Sequence, residues 1–83
     1  MLIPEHLLQK FHMNTLAEYK TDFGDSTEVE IFYYHTFLIQ SDYISNKIAD
    51  AAALQEPFKP EYLEILQLRQ EARDRINELE AQG

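Results

Sequence analysis

The sequence predicts an all-α fold, a small three-helix bundle in which a helical hairpin is completed by an N-terminal helix. Apolar residues recur at steps of three and four after position 40, which places each set on one face of a helix. A proline-rich break at residues 57–60 separates the two arms of the hairpin. At 83 residues one domain is expected. It comprises an N-terminal helix and capping loop (1–26) and the hairpin (27–83).

The first predicted element is a helix from about residue 4 to about residue 19. Pro4 suits the first turn of a helix because its missing N–H is not needed there. A helical stripe is followed by Leu7, Leu8, Phe11, Thr15 and Leu16. Gly24 can adopt positive φ and end this segment, and Asp25 or Ser26 can cap the next helix.

The second predicted element is one long helix, about residues 27–55. Within residues 29–39, however, alternate positions carry Val29, Ile31, Tyr33, His35, Phe37 and Ile39, and the segment is rich in aromatic and β-branched types, which is typical of a strand. The alternative fold is therefore an N-terminal β-hairpin, residues 14–22 paired with 28–38, followed by two helices. The helix is preferred because no glycine, proline or turn dipeptide separates Gln40 from the helical pattern that follows.

The last helix is predicted to run from about residue 60 to 81. Pro57 cannot continue the long helix, and Pro60 suits the start of the next. If the chain folds tightly about Phe58, residues equally distant from it face one another, which predicts an Asp42–Arg73 ion pair. Residues 29–34 would then extend past the last helix. Arg69 is expected to pair with acids along the hairpin, with recognition of an acidic partner as the alternative.

The aromatic residues of the long helix are the candidate protein-interaction site. Four rings lie close together: Phe32, Tyr33, Tyr34 and Phe37. They can pack against the N-terminal helix, or another chain can cover them, because exposed aromatic patches mark interaction sites. A homo-oligomer is expected on the second interpretation.

Acidic residues dominate the charge. Fifteen acids and seven bases give a formal net charge of −8, which disfavours direct binding to nucleic acid or an anionic membrane. The candidate acidic surface consists of Asp22, Asp25, Glu28 and Glu30. Capping of the following helix and favourable interaction with its dipole are the simpler explanation of these four acids.

No pattern in the sequence predicts catalysis or a cofactor. The three histidines, His6, His12 and His35, lack the spacing of a metal pair, and there is no cysteine. The carboxylate pairs lie in a chain too small to build the deep apolar pocket that tunes catalytic groups. No signal peptide or membrane-spanning run is recognised, so a cytosolic protein is expected.

Residues 34–80 resemble a known group of proteins. The motif runs Ser41-Asp42-Tyr43, Lys47-Ile48-Ala49, Tyr62, Arg69-Gln70-Glu71-Ala72-Arg73 and Ile76-Asn77-Glu78-Leu79-Glu80. It resembles small helical proteins encoded by tailed bacteriophages and prophages, often among tail and other late structural genes. The resemblance implies a protein without enzyme activity, in the cytoplasm of the bacterial host or in the virion.

Two functions follow as expectations. The first is a virion or tail-assembly component that acts through protein–protein contacts with itself, the virion or a host protein. The alternative is an acidic phage-encoded inhibitor of a host defence system, of the anti-CRISPR type, that blocks a basic nucleic-acid-binding surface. One continuous acidic face would favour the inhibitor, and acids scattered over all faces would favour the assembly component.

Overall fold

The computed structural model describes residues 1–57 and 59–82, and within these ranges the ordered elements are four helices. They are α1 (Glu5–Lys10), α2 (Leu16–Phe23), α3 (Thr27–Leu54) and α4 (Pro60–Gln82). The all-α prediction is confirmed. The alternative β-hairpin is wrong, because residues 28–38 belong to α3 and 14–22 fall mostly in α2. Phe58, the predicted turning point, and Gly83 lie outside the described residues.

The predicted single N-terminal helix over residues 4–19 is wrong, because the segment forms two short helices. α1 ends at Lys10 with Phe11 as its C-cap residue, and His12 takes the left-handed conformation with φ 55°. Thr15 then starts α2, since its Oγ1 accepts a hydrogen bond from the Glu18 backbone N–H at 3.2 Å. This Thr-x-x-Glu pattern has the sequence of a capping box, and the local hydrogen bonds of the Thr15 hydroxyl compete with continuing the helix.

Local chemistry also fixes the start and end of α3. Gly24 adopts φ 108°, as expected, and separates α2 from the next helix. The Ser26 side chain accepts from the Val29 backbone N–H at 3.2 Å and caps α3. At the other end Gln55 takes a left-handed conformation with φ 57°, where helices commonly terminate.

The core is formed by one face of α3, one face of α4 and the N-terminal segment. Phe11 inserts against Phe37 with ring centroids 5.9 Å apart and planes at 74°, an edge-to-face contact. The buried apolar residues from the N-terminal segment are Ile3, Leu7, Leu8 and Phe11; those from α3 are Tyr33, Tyr34, Phe37 and Ile44; those from α4 are Tyr62, Ile65, Leu68, Ala72, Ile76 and Leu79.

α3 and α4 run in opposite directions with a register that differs from the predicted one. Asp42 pairs with Arg69 at 3.4 Å, whereas Arg73 donates to Gln70 within its own helix at 3.1 Å. The predicted Asp42–Arg73 pair is therefore wrong. The last turn of α3 stays exposed, with Leu54 at 68%, so α4 packs further toward the start of α3 than a tight turn would allow.

The shifted register has a consequence for the start of α3. Arg75 of α4 approaches Glu30 at 3.6 Å, so α4 reaches the first turns of α3. Residues 29–34 therefore do not extend past the last helix. α3 itself, 28 residues and about 42 Å long at 1.5 Å per residue, accounts for the longest dimension of the Cα envelope, 44 Å.

Candidate protein-interaction surface

The predicted four-residue aromatic surface is wrong, because three of its members are buried within the chain. Tyr33 is 3% exposed, Tyr34 1% and Phe37 0%, whereas Phe32 is 62% exposed. The Tyr33 hydroxyl donates to the Asn14 carbonyl at 2.9 Å. Burial, followed by the nearby Tyr34 and Glu18, raises the pKa of Tyr33 to about 12. These three rings belong to the core that the N-terminal segment and α4 complete.

Phe32 instead joins a surface cluster that we call the aromatic corner, defined as the half-buried Tyr19 and the exposed Phe23 and Phe32. The Tyr19 ring lies 4.6 Å from Phe23 and 6.1 Å from Phe32, with the latter pair stacked at 18°. Phe23 is 65% exposed. The Tyr19 ring packs against the buried Tyr33 ring with centroids 5.4 Å apart, so the aromatic corner contacts the core. The sequence gives no local signal for this cluster, since the turn between α2 and α3 brings its members together.

A shallow groove of about 220 Å³ borders the aromatic corner. The connection between α1 and α2 forms one wall, through Met13, and α3 forms the other, through Thr36 and Gln40. Phe23 and Asp22 stand at its edge. The groove therefore offers apolar and polar contacts next to the two exposed rings.

Three of the four predicted acidic-surface residues lie around this corner and are exposed: Asp22, Asp25 and Glu28. Asp25 is 3.3 Å from Lys20 but keeps 85% of its side-chain surface in solvent. Glu30 differs, because its side chain is only 13% exposed, accepts from the Tyr34 hydroxyl at 3.2 Å and faces Arg75. Glu30 therefore holds α3 to α4, and the acidic surface contains the other three.

A line of residues continues from the corner along the outside of α3, and we call it the outer stripe: Phe32, Thr36, Ile39 and Tyr43. Thr36 is half-buried and the other three are exposed. Ile39 is 74% exposed and Tyr43 43%. The Lys47 ammonium lies 5.5 Å from the centre of the Tyr43 ring, within cation–π range. Successive steps of four, three and four keep these side chains on one face of α3. The Tyr43 ring also meets the buried Phe11 ring edge to face, with centroids 6.2 Å apart.

Arg69, the other candidate for partner recognition, is part of the interior. It is 8% exposed, and its Nη1 donates to the Leu38 carbonyl at 2.6 Å and to the Ser41 hydroxyl at 2.7 Å. Desolvation lowers the pKa of Arg69, while the Asp42 carboxylate opposes that shift. Arg69 therefore joins α3 to α4 and is not available as a surface cation.

The remaining acids are spread over all four helices. Glu61 and Glu64 of α4 pair with Lys10 and His6 of α1. A wide groove of about 640 Å³ near the end of α4 is lined by acids that include Glu71 and Glu78, with Arg75 among them. The carboxylates thus surround the molecule, and several are engaged in ion pairs between helices.

Within residues 1–57 and 59–82, no group of three or more histidine or acidic side chains is arranged to hold a metal ion. None of the four helices is both long and apolar enough to cross a membrane. No protein-family model matches the chain, and neither a curated protein nor a solved structure matches it.

Proposed function

We propose that the protein acts without catalysis, through contact with other proteins, and that the aromatic corner and the outer stripe form its contact surface. The observation that carries this proposal is the pair of exposed rings, Phe23 at 65% and Phe32 at 62%, which contact Tyr19 at centroid distances of 4.6 and 6.1 Å. Rigid aromatic side chains lose little conformational entropy on binding and are enriched at interaction sites.

The resemblance of residues 34–80 to small helical proteins of tailed phages and prophages suggests where such contacts are used. On that basis we propose a virion or tail-assembly component that self-associates or contacts a virion protein. Its location would be the cytoplasm of the bacterial host and, after assembly, the virion. The scattered carboxylates fit this role better than a single acidic face would.

An acidic inhibitor of a host defence system is the second candidate. It is favoured by the net charge of −8 and by Asp22, Asp25 and Glu28 standing beside exposed rings. Such a surface could occupy a basic nucleic-acid-binding channel. Against it, acids lie on every helix, and Glu30, Asp42 and Glu61 are engaged in ion pairs within the chain.

Photo-crosslinking tests the contact surface and separates the two candidates. A photoreactive phenylalanine analogue is placed at Phe23 or Phe32 of the full chain in host bacteria carrying the corresponding phage or prophage. Leu63, 56% exposed on α4, is the matched control position. We expect crosslinks from positions 23 and 32 and none from 63.

The identity of the crosslinked protein and the salt dependence of the crosslinking decide between the two functions. A structural protein of the virion, or the chain itself, supports the assembly role. A basic nucleic-acid-binding host protein supports the inhibitor if its crosslinking in a cell lysate falls steeply when the salt is raised from about 0.05 to about 0.5 M, because screening weakens charge-driven contact. Equal crosslinking from position 63, or none from positions 23 and 32, contradicts the proposed surface.

A further inference from the structure

We propose that the groove beside the aromatic corner binds an arginine side chain of the partner protein. This inference rests on the proposed function and names the chemistry that the contact surface recognises. The groove lies between the connection from α1 to α2 and the side of α3. Its lining combines aromatic rings, one carboxylate and uncharged polar groups, and that combination favours a planar cation.

Three aromatic rings line the groove, those of Tyr19, Phe23 and Tyr33. Tyr19 contacts both of the others, with ring centroids 4.6 Å from Phe23 and 5.4 Å from Tyr33, so the three rings form one contiguous cluster. Phe23 is the most exposed of them, at 65%. A cation is attracted to the face of such a ring because the ring quadrupole concentrates negative charge there.

The charge around the groove is negative. Asp22 lines the groove, is exposed, and makes no ion pair with another residue of the described ranges. Glu18 lies close by, since burial, Tyr34 and then Glu18 raise the pKa of the lining residue Tyr33. The one base of α2, Lys20, is already 3.3 Å from Asp25. A cation in the groove therefore interacts favourably with both the rings and the carboxylate.

Uncharged polar groups complete the lining and match the donors of a guanidinium. Asn14 and Gln40 carry side-chain carbonyls, which accept hydrogen bonds. The Thr36 hydroxyl donates to the Phe32 carbonyl at 2.9 Å, and its oxygen can still accept. Arginine holds its N–H donors in a planar fork that stacks on a ring and meets a carboxylate along its edge, whereas the compact ammonium of lysine cannot stack.

Other occupants fit this lining less well. An apolar side chain would cover Asp22 and Gln40 without giving them partners, which costs free energy, and an acidic side chain would be repelled by Asp22. The volume of about 220 Å³ also lies below the range of about 300 to 1,000 Å³ typical of small-molecule sites. A single arginine side chain satisfies both the size and the chemistry of the groove.

Peptide titration of the full isotope-labelled chain, followed by nuclear magnetic resonance, tests this assignment. The probes are the acetylated and amidated peptide Gly-Gly-Arg-Gly-Gly and two twins with lysine or citrulline, the uncharged isostere of arginine, at the centre. His12 also lines the groove, so the titration is run at about pH 7.5, where an unperturbed histidine is mostly neutral. We expect shifts at Asn14, Thr36 and Gln40, with arginine binding about threefold more tightly than lysine and citrulline not binding.

Matched variants assign the binding to the carboxylate and the ring. Asp22→Asn should weaken the arginine peptide about fivefold, because an exposed ion pair is lost. Glu71→Gln, an exposed acid on α4 with the same change in net charge, should leave binding unchanged. Phe23→Leu should weaken it about threefold through the loss of the aromatic face, while Phe23→Tyr, which keeps the ring, should bind as the wild type does.

Several outcomes would overturn the arginine site. These are equal binding of the lysine or citrulline twin, equal weakening by Glu71→Gln and Asp22→Asn, and the absence of groove shifts at about 20 mM arginine peptide. The proposed function has a separate readout. If the peptides fail while photo-crosslinks from Phe23 and Phe32 still reach a protein, the contact surface stands and only its preference for arginine is lost.

Discussion

The packing of α3 against α4 depends on Arg69, whose guanidinium is buried between the two helices. Its three acceptors are the Leu38 carbonyl, the Ser41 hydroxyl and, at 3.4 Å, the Asp42 carboxylate. The hydroxyl of Ser41, which is fully buried, donates a hydrogen bond to the Phe37 carbonyl at 2.7 Å. Among the described residues every buried side-chain nitrogen and oxygen has a partner. A charge buried at this position is tolerated only because it is so fully hydrogen-bonded.

Replacing Arg69 should destabilise the fold far more than replacing its neighbour on the same helix. Arg69→Ala removes packed aliphatic carbons and three hydrogen bonds, so we expect the free energy of unfolding to fall by about 3 kcal/mol. Arg73→Ala, at an exposed position, should change it by less than about 0.5 kcal/mol. Urea unfolding followed by circular dichroism measures both.

The conservative change Arg69→Lys separates charge from geometry. Lysine keeps the charge but cannot reproduce the planar fork that reaches two acceptors from one nitrogen group, so about half of the alanine loss should remain. Equal stability of Arg69→Ala and Arg73→Ala would contradict the role assigned to Arg69.

At the scale of elements, the turn between α1 and α2 sets the position of the aromatic corner. α2 has only eight residues, and none of them is buried. Its start therefore depends on Thr15, whose Oγ1 accepts from the Glu18 backbone and donates to the Glu18 carboxylate at 3.0 Å. A short helix that buries little surface relies on its caps and on the few rings that contact its neighbour.

Removing the cap should loosen α2 while α3 and α4 stay intact. For Thr15→Ala we expect a loss of about 1 kcal/mol, and for Thr15→Ser little change, because serine supplies the same acceptor. Amide hydrogen exchange should accelerate in residues 16–23 of the alanine variant and remain unchanged in α4. Uniform acceleration throughout the chain would show that the cap has no local role.

At the scale of the whole molecule, ion pairs to α4 help hold the N-terminal segment on the hairpin. The Lys10 ammonium bonds to the Glu61 carboxylate, and the His6 ring lies 3.3 Å from Glu64. The hydrogen bond from Lys10 lowers the pKa of Glu61, and the bond to Glu61 raises the pKa of Lys10. Both groups are partly exposed, so the pair stabilises the fold by at most about 1 kcal/mol.

The pKa shifts predict the pH range outside which this ion-pair stabilisation is lost. Because the pKa of Glu61 is lowered in the fold, its contribution is present above the ordinary value of 4.5 and is lost as the pH falls through the folded value. Because the pKa of Lys10 is raised, its contribution is full below 10.5 and is lost as the pH rises through the folded value. Glu61→Gln should therefore be less stable than the wild type between these limits and equal to it in acid.

Chemical unfolding from pH 2 to pH 11 measures that difference, and Glu71→Gln is the control. Glu71 is an exposed acid on the same helix, so its variant should follow the wild-type curve at every pH. A constant gap between Glu61→Gln and the wild type down to pH 2 would mean that the variant lost packing and not the ion pair.

Much of the helical structure could be predicted from local patterns. The bounds of α3 and α4 follow from Ser26, Pro57 and Pro60, and Gly24 has the positive φ expected of it. The division between α1 and α2 was also encoded locally, in Thr15 and Glu18, but the apolar stripe through Leu16 continues across it and predicts an uninterrupted helix. The apolar stripe favoured one continuous helix and the Thr15 cap favoured a new helix start, and the structure has the new start.

The sequence by itself determined which segments are helical, the acidic balance of the surface and the presence of a concentrated group of rings in α3. Only the tertiary structure decided that Tyr33, Tyr34 and Phe37 face inward while Phe32 joins Phe23 outside. Caps and helical hydrogen bonds act between residues a few positions apart, so a sequence pattern reveals them. Burial depends on which distant segment covers a face. Here α4 covers the inner face of α3 and contacts it through Arg69 and Arg75, and the N-terminal segment contacts α3 through Phe11.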